Sequence, residues 1–245
     1  MKSKLQIVIP LAGGNQFFDA DEYMYPKPLV EIGQKLMIEW VIENYKDIIT
    51  ENVKVIFVTK EPECTKFNID YTLKLLCPQC KVLKLDKDTQ GAVFTVLMAL
   101  DEIDVTQPLI VANGDQFIDT NIPDVLAYFI EQKADAGVIC FNAVHPKWSY
   151  IRTENNEVIE TAEKKPISNQ AIAGFYYFAN AALFLEASAK AIQNDRSYNG
   201  IFFISLLMNE LILMHKKVAY YPIETAKYHS FYSPSKVEEF KQTLL

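Results

Sequence analysis

Positive charge is what this sequence has little of. Over 245 residues, 24 Lys and Arg stand against 31 Asp and Glu, a formal charge of −7. A nucleic-acid surface needs a basic stripe to meet backbone phosphates, so DNA and RNA are excluded as partners. A small nucleotide asks only for local positive charge and is not excluded. Long apolar runs are also missing. The most apolar stretch, residues 201–214, is interrupted by Asn209 and Glu210 and is too short and polar to span a bilayer. Met1-Lys2-Ser3-Lys4 leads into a strand-like run with no cleavage-type segment, so a cytoplasmic chain with no membrane partner is expected. Cysteine is scarce: Cys64, Cys77, Cys80 and Cys140. Cys77-Pro-Gln-Cys80 is a lone C-x-x-C with no second pair, which argues against zinc. Its second cysteine runs into a strand rather than a helix, which argues against a redox motif, so reduced structural thiols are expected. There is no internal repeat, low-complexity tract or linker. Gly13-Gly14 lacks the third spaced glycine of a dinucleotide-binding turn, which disfavours a dehydrogenase.

What is there begins with residues 5–40. Ile7-Val8-Ile9 reads as a buried strand. Gly13-Gly14 follow, where a backbone bends sharply or approaches a ligand. A polar, acidic loop over 15–22 leads to Tyr25-Pro26-Lys27-Pro28, where two prolines predict an extended segment around one lysine. A helix-period run starts near Lys35, with Leu36, Met37, Trp40 and Val41 on one face. Strand, glycine turn, loop, held lysine and helix make a layout for binding phosphates.

The pattern then alternates. Strands are predicted over 53–58, 81–85 and 108–112, a partly helical stretch over 61–76, and a helix from Thr89-Gln90-Gly91-Ala92 to Leu100. This predicts an α/β fold with a doubly wound, mainly parallel but mixed, Rossmann-like sheet. Ligands in such sheets sit beyond the carboxyl ends of the strands, where Gly13-Gly14, Gln90-Gly91 and Asp115 fall. The second half predicts a helix over 122–133, a strand over 136–142, and a hairpin of 149–153 with 157–163 about Asn155-Asn156. A strand over 171–178, helices over 181–193 and 201–214, a strand over 218–222 and a helix over 234–244 complete it. One domain over residues 1–245 is expected, with a nucleotide half (about 1–120) and a substrate half (about 121–245) sharing a cleft.

Leu11-Ala12-Gly13 and Pro26-Lys27-Pro28 resemble the opening signature of the NDP-sugar pyrophosphorylases, a strand followed by L-A-G-x-G-[ST]-R, a loop and P-K-P. The nearest resemblance is to a bacterial branch found in capsule and surface-polysaccharide loci. Ala112-Asn113-Gly114-Asp115-Gln116, His145-Pro146-Lys147-Trp148-Ser149-Tyr150, Glu163-Lys164-Lys165-Pro166, Gly174-Phe175-Tyr176-Tyr177-Phe178 and Tyr198-Asn199-Gly200 match that branch in order. The resemblance spans about residues 5–234. It implies a nucleotidyltransferase (GT-A-like) fold and transfer of NMP from an NTP to a phosphorylated acceptor, a sugar 1-phosphate or a small cell-surface precursor, with release of pyrophosphate. It assigns Lys27 and Asp115 to catalysis, and Asp115 to a Mg²⁺ or Mn²⁺ ion. It puts Leu11, Ala12, Gly13, Gly14, Asn15, Lys27, Gln90, Gly91, Asn113 and Gly114 on the nucleotide, with CTP, UTP or dTTP expected. Trp148, Ser149, Tyr150, Glu163, Lys164, Lys165, Gly174 and Asn199 are implied at the acceptor. Self-association stays open.

Each residue also has a plainer reading. Lys27 alone is a solvent-exposed lysine in a turn, Asp115 a turn aspartate, Asp119 a cap before Ile122. Gln90-Gly91 alone is a capped helix start, and residues 174–178 a core strand. Which of Lys164 and Lys165 faces the site is open. The chain also departs from the signature. Asn15, Gln16 and Phe17 replace Gly, Ser/Thr and Arg, and Ser230 stands where relatives carry an aspartate before a G-T-P turn. Asparagine tolerates positive φ, so loop N–H groups can still cradle phosphate, and a weakened NTP site is expected. Two other functions stay in view: a glycosyltransferase of related fold with its metal on Asp115, and a non-enzymatic nucleotide-binding or scaffold protein.

Overall fold

The structure, a computed structural model, describes residues 4–14, 17–18 and 23–244. It opens with β1 (Leu5–Pro10). Between the prolines the chain is not extended. Lys27–Leu29 form one 3-10 turn, in which Leu29 N–H donates to Pro26 O (2.8 Å) and Val30 N–H to Lys27 O (3.1 Å). The prolines lack only N–H groups that this turn does not use. The helical run also starts later than its periodicity suggests. β2 (Glu31–Ile32) and β3 (Lys35–Leu36) make a small hairpin, turned by Gly33 at φ +65°. Only then does α1 (Met37–Glu43) begin, with the Glu39 carboxylate accepting Leu36 N–H at 3.0 Å.

After β4 (Val53–Lys60), the partly helical stretch predicted over 61–76 divides into α2 (Glu61–Phe67) and α3 (Ile69–Leu76). Asn68 breaks it at φ 55°, a left-handed conformation that asparagine adopts more readily than most residues. β5 (Lys81–Leu85) is followed by α4 (Ala92–Leu97), which stops short of Leu100. Then come β6 (Leu109–Ala112), β7 (Gln116–Ile118), α5 (Ile122–Glu131), β8 (Ala136–Asn142), β9 (Tyr150–Glu154), β10 (Glu157–Ala162) and β11 (Gln170–Phe178). α6 (Ala181–Gln193), α7 (Ile204–Leu213), β12 (Val218–Pro222), β13 (Tyr228–Ser230) and α8 (Pro234–Thr243) complete the chain. The paired β7 and β13 have no counterpart in the sequence pattern.

β5, β4, β1 and β6 lie side by side and parallel. Beyond β6 the sheet becomes antiparallel. One edge of β11 pairs with β8, which pairs in parallel with β12. The other edge of β11 pairs with β6 through residues 175–178 and with β9 through Gln170 and Ala171, so β11 changes partners at Gly174. β10 pairs with β9. Among the described residues the result is a nine-stranded mixed sheet.

Strand alternation feeds two cores. Ile7, Ile9, Val55, Phe57 and Ile110 face α1, α3 and α5; Val8, Ile56, Val58 and Val111 face α4, α6 and α7. A third cluster, with Phe18, Ile32, Met37, Phe231 and Phe240, packs α8 and the small strands against the carboxyl ends of the sheet's first half. All four cysteines are buried and free. Among the described residues no helix is long and apolar enough to cross a membrane.

Candidate active site

β1 and β6 run parallel and adjacent, so the segments leaving their carboxyl ends must meet. Leu11 N–H donates to Val58 O at 2.7 Å. A Cβ on Gly114 would lie 2.2 Å from Leu11 Cδ2, so a larger residue there would push the Leu11 side chain aside. Leu11 and Ala12 are buried there. Gly13 differs: nothing lies within 4 Å of the position its Cβ would take, and its backbone borders open space. Gly14 is exposed beside it. Asn15, predicted in the same turn, lies outside the described residues.

Lys27 reaches this point from its turn. Its Nζ stands 2.5 Å from Asp115 Oδ2 and 5.6 Å from the centre of the Phe18 ring. The side chains are 16% and 29% exposed, so the pair is reachable from solvent. Asp115 is fixed through its backbone, its carbonyl accepting Phe231 N–H at 2.8 Å. Among the described residues Oδ1 accepts no hydrogen bond. No group of three or more His, Cys, Asp and Glu side chains that could hold a metal exists among the described residues. A magnesium ion carried on nucleotide phosphates takes only one or two protein carboxylates, and Asp115 fits that demand. Ser230 is buried in β13 and offers a hydroxyl rather than a second carboxylate.

Gln116 is a hub that the motif reading did not single out. It is 1% exposed; its Nε2 donates to Gly174 O at 2.9 Å, and its Oε1 accepts from Tyr228 Oη at 3.2 Å. Asn113 N–H donates to the same Gly174 carbonyl at 2.9 Å. Gly174 has φ +59°, and a Cβ there would lie 2.4 Å from Asn113 Nδ2 and 2.5 Å from Gln116 Oε1. The bend in β11 is therefore moulded to the Asn113–Gln116 turn. Burial, then the charge of Asp115, pushes the Tyr228 hydroxyl up.

Gln90 and Gly91 lie against the 198–203 segment. Phe202 N–H donates to Gln90 O at 2.9 Å, and a Cβ on Gly91 (φ +106°) would meet Phe202 O at 2.6 Å. The glycine is thus needed for this packing, whatever else approaches the turn. Lys164, left-handed at φ 53°, sets its Nζ over the rings of Tyr198 (5.6 Å) and Phe203 (5.2 Å), next to Asn199. Lys165 is exposed and makes no side-chain hydrogen bond, ion pair or ring contact among the described residues. So Gln90, Gly91, Lys164 and Asn199 gather in one place.

The remaining acceptor-side residues divide. Glu163 is 7% exposed, and its Oε2 accepts from Ser149 Oγ and from Ser205 Oγ (2.7 Å). Burial raises its pKa against the opposing pull of those hydroxyls and Lys164. Tyr150 lies in the core behind the 145–149 turn. It is fully buried, and its Oη donates to His145 O at 2.6 Å, bracing the 145–149 turn. Trp148 is half-buried and packs on Phe141, Tyr228 and Tyr232. Lys147 and Tyr232, which the motif reading passed over, lie beside it. A separate cavity of about 390 Å³, lined by Ile159, Arg196, Leu206 and Glu210, holds none of the predicted side chains.

A sheet of this topology, with a glycine turn after its first strand and Asp115, paired to Lys27, just beyond the carboxyl end of β6, defines an α/β protein of Rossmann-like nucleotidyltransferase fold. Residues 23–227 match the Nucleotidyl transferase family model, and the chain belongs to that family. The crystal structure of the nucleoside-diphosphate-sugar pyrophosphorylase from Vibrio cholerae RC9 is similar over 96% of this chain and 99% of its own, at 25% identity and a TM-score of 0.84. A Bacillus anthracis protein described as a glucose-1-phosphate thymidylyltransferase, in complex with a sucrose, matches 98% of this chain and 94% of its own. Its 16% identity and TM-score of 0.79 speak to fold alone. No curated protein matches the chain.

Proposed function

We propose that this chain is a nucleotidylyltransferase that moves NMP from an NTP to a phosphorylated acceptor and releases pyrophosphate. The observation that carries this reading is the Lys27–Asp115 pair, poised where strand ends and the glycine turn converge. In the reaction, an acceptor phosphate oxygen bonds to the α-phosphorus of the NTP. The bond from that phosphorus to the oxygen bridging to the β-phosphate breaks, and pyrophosphate leaves. No covalent bond to the protein is required, so catalysis is positioning and charge neutralisation. Lys27, a point charge on a flexible stem, suits oxygens that move during transfer. Asp115, through its open Oδ1, would hold Mg²⁺ or Mn²⁺. Bound there, the ion would offset negative charge on the nucleotide phosphates. The backbone around Gly13 and Gly14 lies open for phosphate, and Gln90 offers both donor and acceptor to a base edge.

For the acceptor, Trp148 supplies a flat face, Glu163 an Oε1 without a partner among the described residues, and Lys164 and Asn199 polar groups at the far wall. A sugar 1-phosphate is the favoured class, supported by the similarity to the Vibrio cholerae RC9 protein. Phosphorylated polyols and amides belong in the same search. The β6–β11 pairing joins the two halves and supports reading them as one domain with one cleft.

A screen of the four common NTPs against phosphorylated sugars, polyols and amides, read by pyrophosphate release, tests the proposal. Release with one matched pair is expected. Nucleotide binding with no release from any pair would favour a non-enzymatic role, and sugar transfer without pyrophosphate release would favour a glycosyltransferase.

A further inference from the structure

Phe17 stands at the loop position where the resembled signature carries arginine, so that loop offers no cation there. Phe17 is 58% exposed, and its ring meets Tyr232 edge-on at 5.6 Å. The other contacts of Tyr232 supply what Phe17 lacks. Lys147 Nζ lies 4.0 Å from the centre of the Tyr232 ring and 4.4 Å from that of Trp148. Those two rings are 6.0 Å apart and inclined at 78°, two walls of a corner around one ammonium. The hydrogen bond from Lys147 also holds the Tyr232 hydroxyl below its ordinary range.

Two features mark Lys147. It forms no ion pair among the described residues, whereas Lys27 and Lys35, which also lie over rings, each meet a carboxylate. A half-buried ammonium held on π faces still has N–H donors to offer an anion. It also lies on the wall that carries Asp115. Trp148 packs on Tyr228 at 5.5 Å, and Tyr228 donates to Gln116, the neighbour of Asp115.

We propose that Lys147, held on Trp148 and Tyr232, is a second phosphate-binding cation of this site and supplies the charge that Phe17 cannot. The proposal rests on the nucleotidyltransferase reading. Its ligand is a phosphate oxyanion, belonging either to the NTP or to the acceptor. Trp148 and Tyr232 act through Lys147, as positioning residues.

Calorimetric titration of wild type, Lys147→Ala, Lys147→Arg and Lys147→Ala with Phe17→Arg tests it. The probes are inorganic pyrophosphate, CTP, UTP, dTTP and inorganic phosphate, each with Mg²⁺. Lys147→Ala is expected to weaken the polyphosphate probes by about tenfold or more, the scale of a charge-assisted hydrogen bond. Lys147→Arg retains most of the affinity, and adding Phe17→Arg to Lys147→Ala restores much of what was lost. A purely structural lysine would show no such rescue. A loss confined to inorganic phosphate assigns the cation to the acceptor's phosphate. Lys147→Gln, which keeps the stem, is read in place of an alanine variant that fails to fold. Equal binding of every probe by wild type and by folded Lys147→Ala overturns the inference alone. A wild type that binds none of the probes overturns the nucleotidyltransferase reading with it.

Discussion

Lys27 and Asp115 are 88 residues apart in sequence, yet Lys27 Nζ lies 2.5 Å from Asp115 Oδ2. Under the proposed function, this ammonium and carboxylate would each act on the nucleotide, and they pair with each other while none is bound. Both side chains are part-buried yet reach solvent, so water can still meet the carboxylate when its partner is removed.

Lys27→Ala is expected to lower pyrophosphate release by about 100-fold or more, the scale for removing a preorganised charge from a developing anion. Thermal unfolding should stay close to wild type. Turnover near wild type would remove Lys27 from the mechanism.

Asp115→Asn keeps the size of the side chain and can still accept from Lys27, but it loses the charge that holds a hard cation. Wild type should bind nucleotide more tightly with Mg²⁺ than in excess EDTA, and the variant should bind equally in both. Calorimetry in the two buffers reads the difference. A wild type indifferent to EDTA would count against a metal at Asp115.

Gly174→Ala places a Cβ on a left-handed residue that already touches Asn113 and Gln116. Left-handed strain and overpacking together predict a loss of about 2–5 kcal/mol, read as a lower midpoint in denaturant. An unchanged midpoint would mean that the bend in β11 relaxes freely.

Glu163 predicts a pH dependence. Burial raises its folded-state pKa above the ordinary 4.5, so the folded chain binds this proton more tightly than the unfolded chain. Its contribution to stability is complete below pH 4.5 and is lost as pH rises through the raised value. Glu163→Gln removes the titration. Wild type should therefore gain on the variant as pH falls from neutrality towards 4.5, by comparison of unfolding midpoints. The reverse trend would show that the hydrogen bonds from Ser149 and Ser205 outweigh burial.

The central strands were readable because their chemistry is local. Ile7-Val8-Ile9 and residues 53–58 are β-branched runs, and turn residues close β6. Asn113-Gly114-Asp115 could be placed at a strand end for the same reason. The division at Asn68 was hidden, since an apolar period continues across it and only a left-handed backbone interrupts it. β7 and β13 are three residues each and exist by pairing with one another, so neither carries a period of its own. The burial of Tyr150 was not legible, because a tyrosine inside a matched motif looks the same whether it faces a ligand or the core. Gln116 and the Lys147–Tyr232 contact depend on approaches between distant segments, which spacing does not encode.

The surroundings of Asp115 draw on the whole length of the chain. Asn44 donates to Gln116 O at 3.1 Å and accepts Ile118 N–H at 2.7 Å; Gly174 takes bonds from Asn113 and Gln116; Phe231 N–H caps Asp115 itself. Each contact closes a long loop, and such closures cost entropy before they return anything. The site is therefore a late product of folding, completed when the last segment docks. Cutting the chain between its halves would not yield a working nucleotide fragment, because the aspartate's final partners lie in the other piece. During synthesis, the backbone carbonyl of Asp115 waits for a partner encoded more than a hundred codons downstream.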